Sequence, residues 1–355
     1  MNDIARVAGV SQSTVSIVLN GTRKNLTPET TQRVLDAVAE LGYKHRPQQR
    51  RKDTYTFKNV VVIMASALPN PYYSELITSI EKAAEEEGLI AFVCDTYRNE
   101  ETEERYMELA VELDVLGLIY TYVPVAVNAV QKLSQQMPVV VVGDKSNAVS
   151  LDAVEFDSFN AGQLVARHLL NLGHRHIAFL STPMNSGNIA RVRRLEGLRS
   201  EMIKRGIDNC LTIQIANAEA DYKNFAQGNE CSIGYNQTLA VLKDHPNITA
   251  LVGVNDMIAI GILNALLERG YRIPEDYSVC GFDNIYLSGI RSINLTTIDY
   301  FSTMKGRDAL EILLRKRHQC TRQRTPAVVF RMEYAPELIV RGTTGVCRSA
   351  KNHLL

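Results

Sequence analysis

The chain contains no tryptophan, and its six cysteines (Cys94, Cys210, Cys231, Cys280, Cys320 and Cys347) stand far apart with no Cys-x-x-Cys pair. That spacing argues against a disulfide framework or a thiolate zinc site and predicts reduced thiols. No run approaches about 18 consecutive apolar residues, and no charged-then-apolar leader follows Met1, so the expectation is a soluble chain without a membrane partner, retained in the cytoplasm. Net charge is also lacking, since 39 Lys and Arg balance 39 Asp and Glu. That balance argues against a chain built throughout to coat nucleic acid. The phosphate-binding patterns GxGxxG and GxxxxGK followed by Ser or Thr, the zinc-binding HExxH and the nucleophile turn GxSxG do not occur in the required context. The seven histidines are scattered; His174 and His176 flank Arg175 and alternate in direction, which makes a poor metal pair. No enzyme activity, cofactor or metal is expected.

What is present is a core-forming composition: 355 residues, 45% apolar and 22% charged, enough for two or three domains. The charge is uneven. Met1 to Lys58 holds ten Lys and Arg against five Asp and Glu, which leaves 29 against 34 for the remainder. A basic head on a mildly acidic body is the first functional pointer, because phosphate contacts need local rather than global positive charge.

The head reads as three short helices. Asp3 to Ala8 turns Ile4, Ala5 and Ala8 inward, and Gly9 supplies a tight turn. Ser11 caps a second helix from Gln12 to about Leu19, with Val15 and Val18 or Leu19 facing the first. Asn20-Gly21 breaks it. A third helix starts at the Thr27 cap with Pro28 in its first position, carries Val34, Leu35, Val38 and Leu41 at helical spacing, and ends at Gly42. This is a helix-turn-helix pattern, with a three-helix bundle lacking any DNA role as the plain alternative. In a major groove Gln12 would pair with adenine, while Ser13 or Ser16 would meet a phosphate or base edge.

From Asn59 the pattern becomes βαβ. Apolar runs at 60–64, 90–94, 116–120 and 138–142 and a short strand at 154–156 alternate with helices at 76–87, 101–113, 125–136 and 160–172. The cycle restarts with strands at 176–180, 211–213, 250–254 and 278–282 and helices at 192–205, 234–242 and 257–269. A strand at 296–298, a helix at 302–315 and strands at 327–329 and 337–341 follow. Two parallel sheets side by side imply a cleft reached by the loops at the strands' carboxyl ends. Asp157, Asp256 and Asp283 follow strands and read as ligand acceptors. Among Arg191, Arg193 and Arg194, the last is the best clamp for a carboxylate, phosphate or sugar hydroxyl. Tyr72 and Tyr73 would stack on a flat or pyranose-like ligand.

The head run "DIARVAGVSQSTVSIVLNGTRKNLTPETTQRVLDAVAELGY" and the body segments "NPYYSELITSIEKAAEEEG", "GHRHIAFL", "RRLEGLRSEM", "VNDMIAIGILNALLERGYRIPEDYSVCGFDN", "LTTID" and "PELIVRG" resemble the LacI/GalR family of ligand-responsive bacterial transcription regulators, over essentially the whole chain. The resemblance implies an all-α helix-turn-helix head (1–43), a basic hinge (44–58) and a two-lobed, periplasmic-binding-protein-like α/β core (59–342), followed by a tail (343–355). One lobe is expected to take 59–160 plus 291–325, the other 161–290 plus 326–342. It further implies a cytoplasmic homodimer that represses by reading near-palindromic double-stranded operator DNA, with affinity set by a sugar or nucleobase-like effector acting as inducer or corepressor. The alternative is a cytoplasmic sensing protein with a degenerate head.

By the same resemblance the DNA-binding residues are Ser11, Gln12, Ser13, Thr14, Ser16, Ile17 and Asn20, and the effector residues are Tyr72, Tyr73, Phe159, Arg194, Asn255 and Asp283. Three departures stand out. Ile17 replaces a commonly polar residue and would pack on a thymine methyl. The segment "KHRPQQRRKDTYTFKN" puts Pro47 and Lys52 where a hinge helix and its wedging leucine belong, so Lys44, Arg46, Arg50, Arg51 and Lys52 are expected to track the DNA backbone as an arm. Met1 and Asn2 leave little room for a cap, which predicts a frayed first helix or a start further upstream.

Overall fold

The computed structural model describes residues 2–19, 26–41, 57–66, 68–145, 150–184, 189–216, 229–320 and 328–348. The chain divides into two units, 1–56 and 57–355.

In the first unit, α1 (Asn2–Ala8), α2 (Gln12–Leu19) and α3 (Pro28–Glu40) close over Ile4, Ala5, Ala8, Val15, Val34 and Ala37. Gly9 takes φ +61°, where a side chain would be strained, and so turns α1 into the following loop. Thr27 Oγ1 accepts from Thr30 N at 3.3 Å and Pro28 occupies the first turn of α3. The buried face of α3 is Val34 and Ala37, with Val38 packed at its edge. Leu35 and Leu41 are 45% and 43% exposed, because Leu35 lies a full 100° step from Val34 around the helix.

The second unit holds two parallel sheets. The first has the order β11-β5-β4-β3-β1-β2, built from β1 (Val60–Ala65), β2 (Ile90–Asp95), β3 (Gly117–Tyr120), β4 (Val139–Asp144), β5 (Asp152–Phe156) and β11 (Arg331–Tyr334). All its pairings are parallel, from Val60 beside Ile90 to Arg331 beside Ala153. Every residue of β1 and β4 is buried, as central strands covered on both faces require. Helices α4 (Pro71–Glu86), α5 (Glu100–Glu112), α6 (Val127–Leu133) and α11 (Ser302–Cys320) belong to this lobe, with α4 and α11 packed together over one face.

The second sheet has the order β7-β6-β8-β9, from β6 (Ile177–Ser181), β7 (Leu211–Ile215), β8 (Ala250–Gly253) and β9 (Ser278–Cys280). It carries α7 (Ser158–Asn171), α8 (Ile189–Lys204), α9 (Glu230–Asp244) and α10 (Asp256–Glu268). An antiparallel ribbon of β10 (Thr297–Asp299) and β12 (Glu337–Ile339) adjoins it through bridges from Cys280 to Thr296 and from Asp283 to Asp299. The two helix pairs α7/α8 and α9/α10 meet through glycines. A Cβ on Gly197 would lie 1.9 Å from the Phe159 carbonyl, and one on Gly261 would lie 2.0 Å from that of Cys231.

Three expectations change. The strand expected at 327–329 begins at Arg331 and joins the first sheet, so part of 326–342 belongs to the first lobe. It is an edge strand with three exposed residues of four, so it shows no apolar run. Leu295, Ile298 and Tyr300 pack in the second lobe's core, which shifts the start of the 291–325 segment across the boundary. The expected tail also has core contacts. Thr343 and Cys347 are 4% and 3% exposed, Val279 N donates to Thr343 O, and Cys347 N donates to Leu172 O.

Candidate functional sites

In the first unit the loop serine sets the start of α2. Ser11 Oγ accepts from Thr14 N at 3.2 Å and lies 2.6 Å from Ser13 Oγ and 2.9 Å from Thr14 Oγ1. Ser11, Gln12 and Ser13 are exposed, while Thr14, Ser16 and Ile17 are half-buried around the fully buried Val15. One face of α2 is thus committed to the core and its leading end projects polar side chains. Asn20, Lys44, Arg46, Arg50, Arg51 and Lys52 lie outside the described residues.

In the second unit a cavity with about 70 Å³ of space open to water lies between the lobes. A single water needs about 10–15 Å³ of such space, so the cavity suits a small compact molecule. Five of the six effector residues expected from the sequence line it: Tyr72, Tyr73, Arg194, Asn255 and Asp283. Phe159 does not; it sits half-buried in the first turn of α7, with its carbonyl against Gly197, and the lining aromatic there is Phe156 at the end of β5.

Local rules aim these side chains. Asn70 Oδ1 accepts from Tyr72 N at 3.0 Å and Pro71 opens α4, so the helix starts five residues earlier than its apolar spacing predicts and puts Tyr72 and Tyr73 in its first turn. Asn255 caps α10 in the same way, its Oδ1 accepting from Ile258 N at 2.9 Å. Arg194 stands one turn before Gly197, where α7 and α8 approach most closely. Its guanidinium donates to Asp283 Oδ1 at 3.0 Å, to the Val254 carbonyl at 2.6 Å and to the Tyr300 hydroxyl at 3.2 Å, between the rings of Phe282 and Tyr300. Burial opposes that charge, but Tyr300 and Asp283 hold it ionised and raise its pKa.

The three carboxylates singled out after strands separate in role. Asp283 lines the cavity, and burial, opposed by Arg194, pushes its pKa up to about 6. Asp256 does not line it. Fully buried, Asp256 accepts from Thr297 Oγ1 at 2.5 Å, Ser288 Oγ at 2.6 Å and Ile285 N at 3.1 Å, a staple that ties α10 to β10. Burial, with nearby Asp283, raises its pKa to about 8. Asp157 caps α7, accepting from Asn160 N at 3.0 Å.

Several residues at the site escaped sequence reasoning. Glu230, 3% exposed, accepts from Asn70 Nδ2 of the first lobe at 2.6 Å, and from Asn255 Nδ2 at 2.9 Å and Arg191 Nη2 at 3.4 Å of its own lobe. Asp144 ends β4 and lines the cavity; its Oδ1 accepts from Lys145 N and Ser158 N, and Arg193 Nε stands 3.4 Å from its Oδ2. Desolvation raises its pKa to about 6. Lys305 of α11 is fully buried, donates to Tyr72 OH at 3.1 Å and lies 4.2 Å from the Phe156 ring centre. Burial brings its pKa down to about 7. His174, by contrast, is a core residue: its ring nitrogens meet Thr249 Oγ1 and Ser278 Oγ at 2.9 Å each, and burial lowers its pKa to about 4. Among the described residues no group of three or more His, Cys, Asp or Glu could hold a metal ion, and no helix is long and apolar enough to cross a membrane.

A three-helix head with a capped, polar-tipped second helix, and a two-lobed core with a lined cleft, define a ligand-responsive DNA-binding regulator. The chain belongs to the LacI family of bacterial transcriptional regulators. Residues 1–46 match the model of bacterial regulatory proteins of the lacI family, and residues 58–331 match that of periplasmic binding proteins and the sugar-binding domain of the LacI family. It is 31% identical over 348 residues to the HTH-type transcriptional repressor PurR of Haemophilus influenzae and 29% identical over 348 residues to that of Mannheimia succiniciproducens, in each case spanning 96% of this chain and 97% of the relative. A LacI family regulator from Silicibacter pomeroyi superposes with TM-score 0.70 at 27% identity, over 97% of this chain and 98% of that one. A ribose-bound LacI family regulator from Enterococcus faecium superposes with TM-score 0.68 at 25% identity, over 81% of this chain and 99% of that one.

Proposed function

We propose that the protein is a homodimeric repressor that reads a near-palindromic operator and whose operator affinity is set by a small molecule held between the lobes. The observation that carries this reading is the cavity itself, lined from both lobes and spanned by the Asn70–Glu230 hydrogen bond. A ligand gripped from both sides favours one lobe arrangement, and that differential affinity is the free energy available to shift DNA binding. Arg194, Asn255, Asp283 and Asp144 offer polar partners for hydroxyls or ring edges, and Tyr72, Tyr73 and Phe156 offer faces for stacking. The ribose carried by the Enterococcus faecium relative supports a sugar-sized ligand.

In the head, Gln12, Ser13 and Ile17 are assigned to base edges, Ser11, Thr14 and Ser16 to positioning α2, and Asn20 to the DNA beside it. The arm Lys44, Arg46, Arg50, Arg51 and Lys52 is assigned to the phosphates. Pairing of two copies is supported by exposed aliphatic and aromatic side chains on edge strands: Ile90, Phe92 and Val93 on β2, and Ile213 and Ile215 on β7.

The test is selection of bound sequences from random duplexes at several salt concentrations. A two-fold symmetric site should emerge, and Gln12→Ala should weaken it by about 1–3 kcal/mol with relaxed specificity at one position of each half-site. Neutralising Arg50 and Arg51 should instead reduce the salt slope across all sequences. Binding that stays sequence-blind at every salt concentration would overturn the regulator reading and favour a sensor with a degenerate head.

A further inference from the structure

The cavity is lined by three guanidiniums against two carboxylates. Two of the arginines come from opposite lobes: Arg98 from the turn between β2 and α5, and Arg191 from the first turn of α8. Arg98 donates to the Tyr73 hydroxyl at 3.1 Å and stacks 4.7 Å from the Tyr122 ring centre. It is presented by a costly backbone, since Tyr97 and Arg98 both take left-handed φ values of 51° and 54°. Short polar contacts fix that turn: Tyr97 N donates to Asp95 Oδ1 at 3.1 Å and Arg98 N to Thr96 Oγ1 at 3.3 Å. Tyr122 is held in turn by the buried Glu103, which accepts its hydroxyl at 2.6 Å.

The third arginine, Arg194, is engaged by Asp283, Val254 and Tyr300, and so belongs to the second lobe's fixed wall. Arg191 reaches Glu230 at 3.4 Å. We infer that the effector carries an anionic group, a carboxylate or a phosphate, received at the Arg98 side of the cavity together with Arg191 and the Tyr73 hydroxyl, so that one charged group ties the two lobes. This rests on the proposed reading of the cavity as the effector site. A guanidinium presents paired N–H donors that match the oxygens of either group, and an anion shared by two such forks relieves the repulsion between them. The local field is consistent with this. Burial alone would raise the Tyr73 pKa, yet Arg98, aided by Ser66 and by the charge of Arg191, brings it below the usual phenol value. The two lining carboxylates are each offset by a cation, Asp283 by Arg194 at 3.0 Å and Asp144 by Arg193 at 3.4 Å, which limits their opposition to an incoming anion.

The experiment titrates the full-length protein, by calorimetry and thermal shift, with matched pairs: D-glucose and D-glucuronate, D-ribose and D-ribose 5-phosphate, and inosine and its 5′-monophosphate, with inorganic phosphate as a lone-anion probe. The acid or phosphate member of at least one pair should bind at least about tenfold more tightly than its neutral partner. Arg98→Gln should remove about 10- to 100-fold of that affinity, the size of a lost charge-assisted contact, and weaken the neutral member by a clearly smaller factor. Arg98→Lys, which keeps charge without the fork, should recover only part. A preference for neutral members overturns the inference, as does an anion preference that survives Arg98→Gln, or the absence from every anionic probe of saturable binding that this variant removes. Selection on random duplexes separates the two readings. An operator whose affinity responds only to a neutral probe sinks the anionic inference and leaves the regulator intact; anion binding without any selected site does the reverse.

Discussion

The two walls of the cleft are built from the same βα units but are held in different ways. The second lobe's wall is fixed by its own interior. Arg194 has three protein partners and two flanking rings, Asn255 doubles as a helix cap, and α7 and α8 touch backbone to backbone at Gly197. The first lobe's wall is assembled from ends and turns: the first turn of α4, the left-handed turn at Tyr97 and Arg98, and Lys305 reaching Tyr72 from α11. One wall is a preformed socket and the other a set of side chains whose positions depend on turns and on the facing lobe. Recognition that closes a cleft needs that asymmetry, because a ligand must first find an ordered surface and then gain contacts only as the second surface arrives.

The sharpest break of this comparison is Arg194→Ala. It leaves Asp283 buried without its counter-charge, so the expected loss is about 3–5 kcal/mol of stability, together with loss of any effector response. Denaturant unfolding monitored alongside operator binding measures both. If unfolding is unchanged while the effector response is lost, Arg194 is a ligand contact only and the socket description fails. Gly197→Ala comes next. Its methyl group would meet the Phe159 carbonyl at 1.9 Å, so α8 must move away from α7, at about 1–3 kcal/mol and with weaker ligand binding although no lining side chain has changed. A thermal unfolding midpoint equal to wild type would show that the helix contact can relax freely.

The same asymmetry separates what could be read in the sequence from what could not. Central strands such as β1 and β4 announce themselves as continuous apolar runs, and caps such as Thr27 follow short-range grammar, so the layout and most element positions were legible. Part of the socket could be anticipated too, Asp283 from its place after an apolar strand, Arg194 from the basic start of its helix and Asn255 from the family resemblance, and all three line the cavity. Its limits appear at Asp256 and Asp283. Both follow an apolar strand, but only the fold brings Thr297 and Ser288 onto Asp256 and turns it into a staple. Phe159 lies in the first turn of α7 outside the cavity's lining, which takes its phenylalanine from Phe156 at the end of β5. Arg98, Glu230 and Lys305 act through partners distant in sequence, 160 positions for Glu230 with Asn70 and 233 for Lys305 with Tyr72, which no local pattern encodes.

Lys305 supplies the smallest and most selective test, because it supports the turn-built wall from behind. Burial lowers its pKa to about 7 from the ordinary lysine value of 10.5, so between these values the unfolded chain binds the proton that the folded chain has given up. Stability therefore rises with pH across this window, and the burden of the buried ammonium is fully present below about 7. Asp256 works in the opposite direction, its folded value of about 8 lying above the ordinary carboxylate value of 3.8, so it makes stability fall as pH rises toward 8. Comparing wild type with Lys305→Met cancels that background. The variant's advantage over wild type in denaturant midpoint should be largest near pH 7, at least about 1 kcal/mol once the lost bond to Tyr72 is set against the removed charge, and should shrink steadily as pH rises through 9 toward 10.5. Ligand affinity should fall modestly in the same variant, because Tyr72 loses the donor at 3.1 Å that orients its hydroxyl. A variant whose midpoint parallels wild type from pH 7 to pH 9 would mean that Lys305 stays charged and solvated in the folded protein, and the first lobe's wall would then be more open to water than its packing against Phe156 and Tyr300 implies.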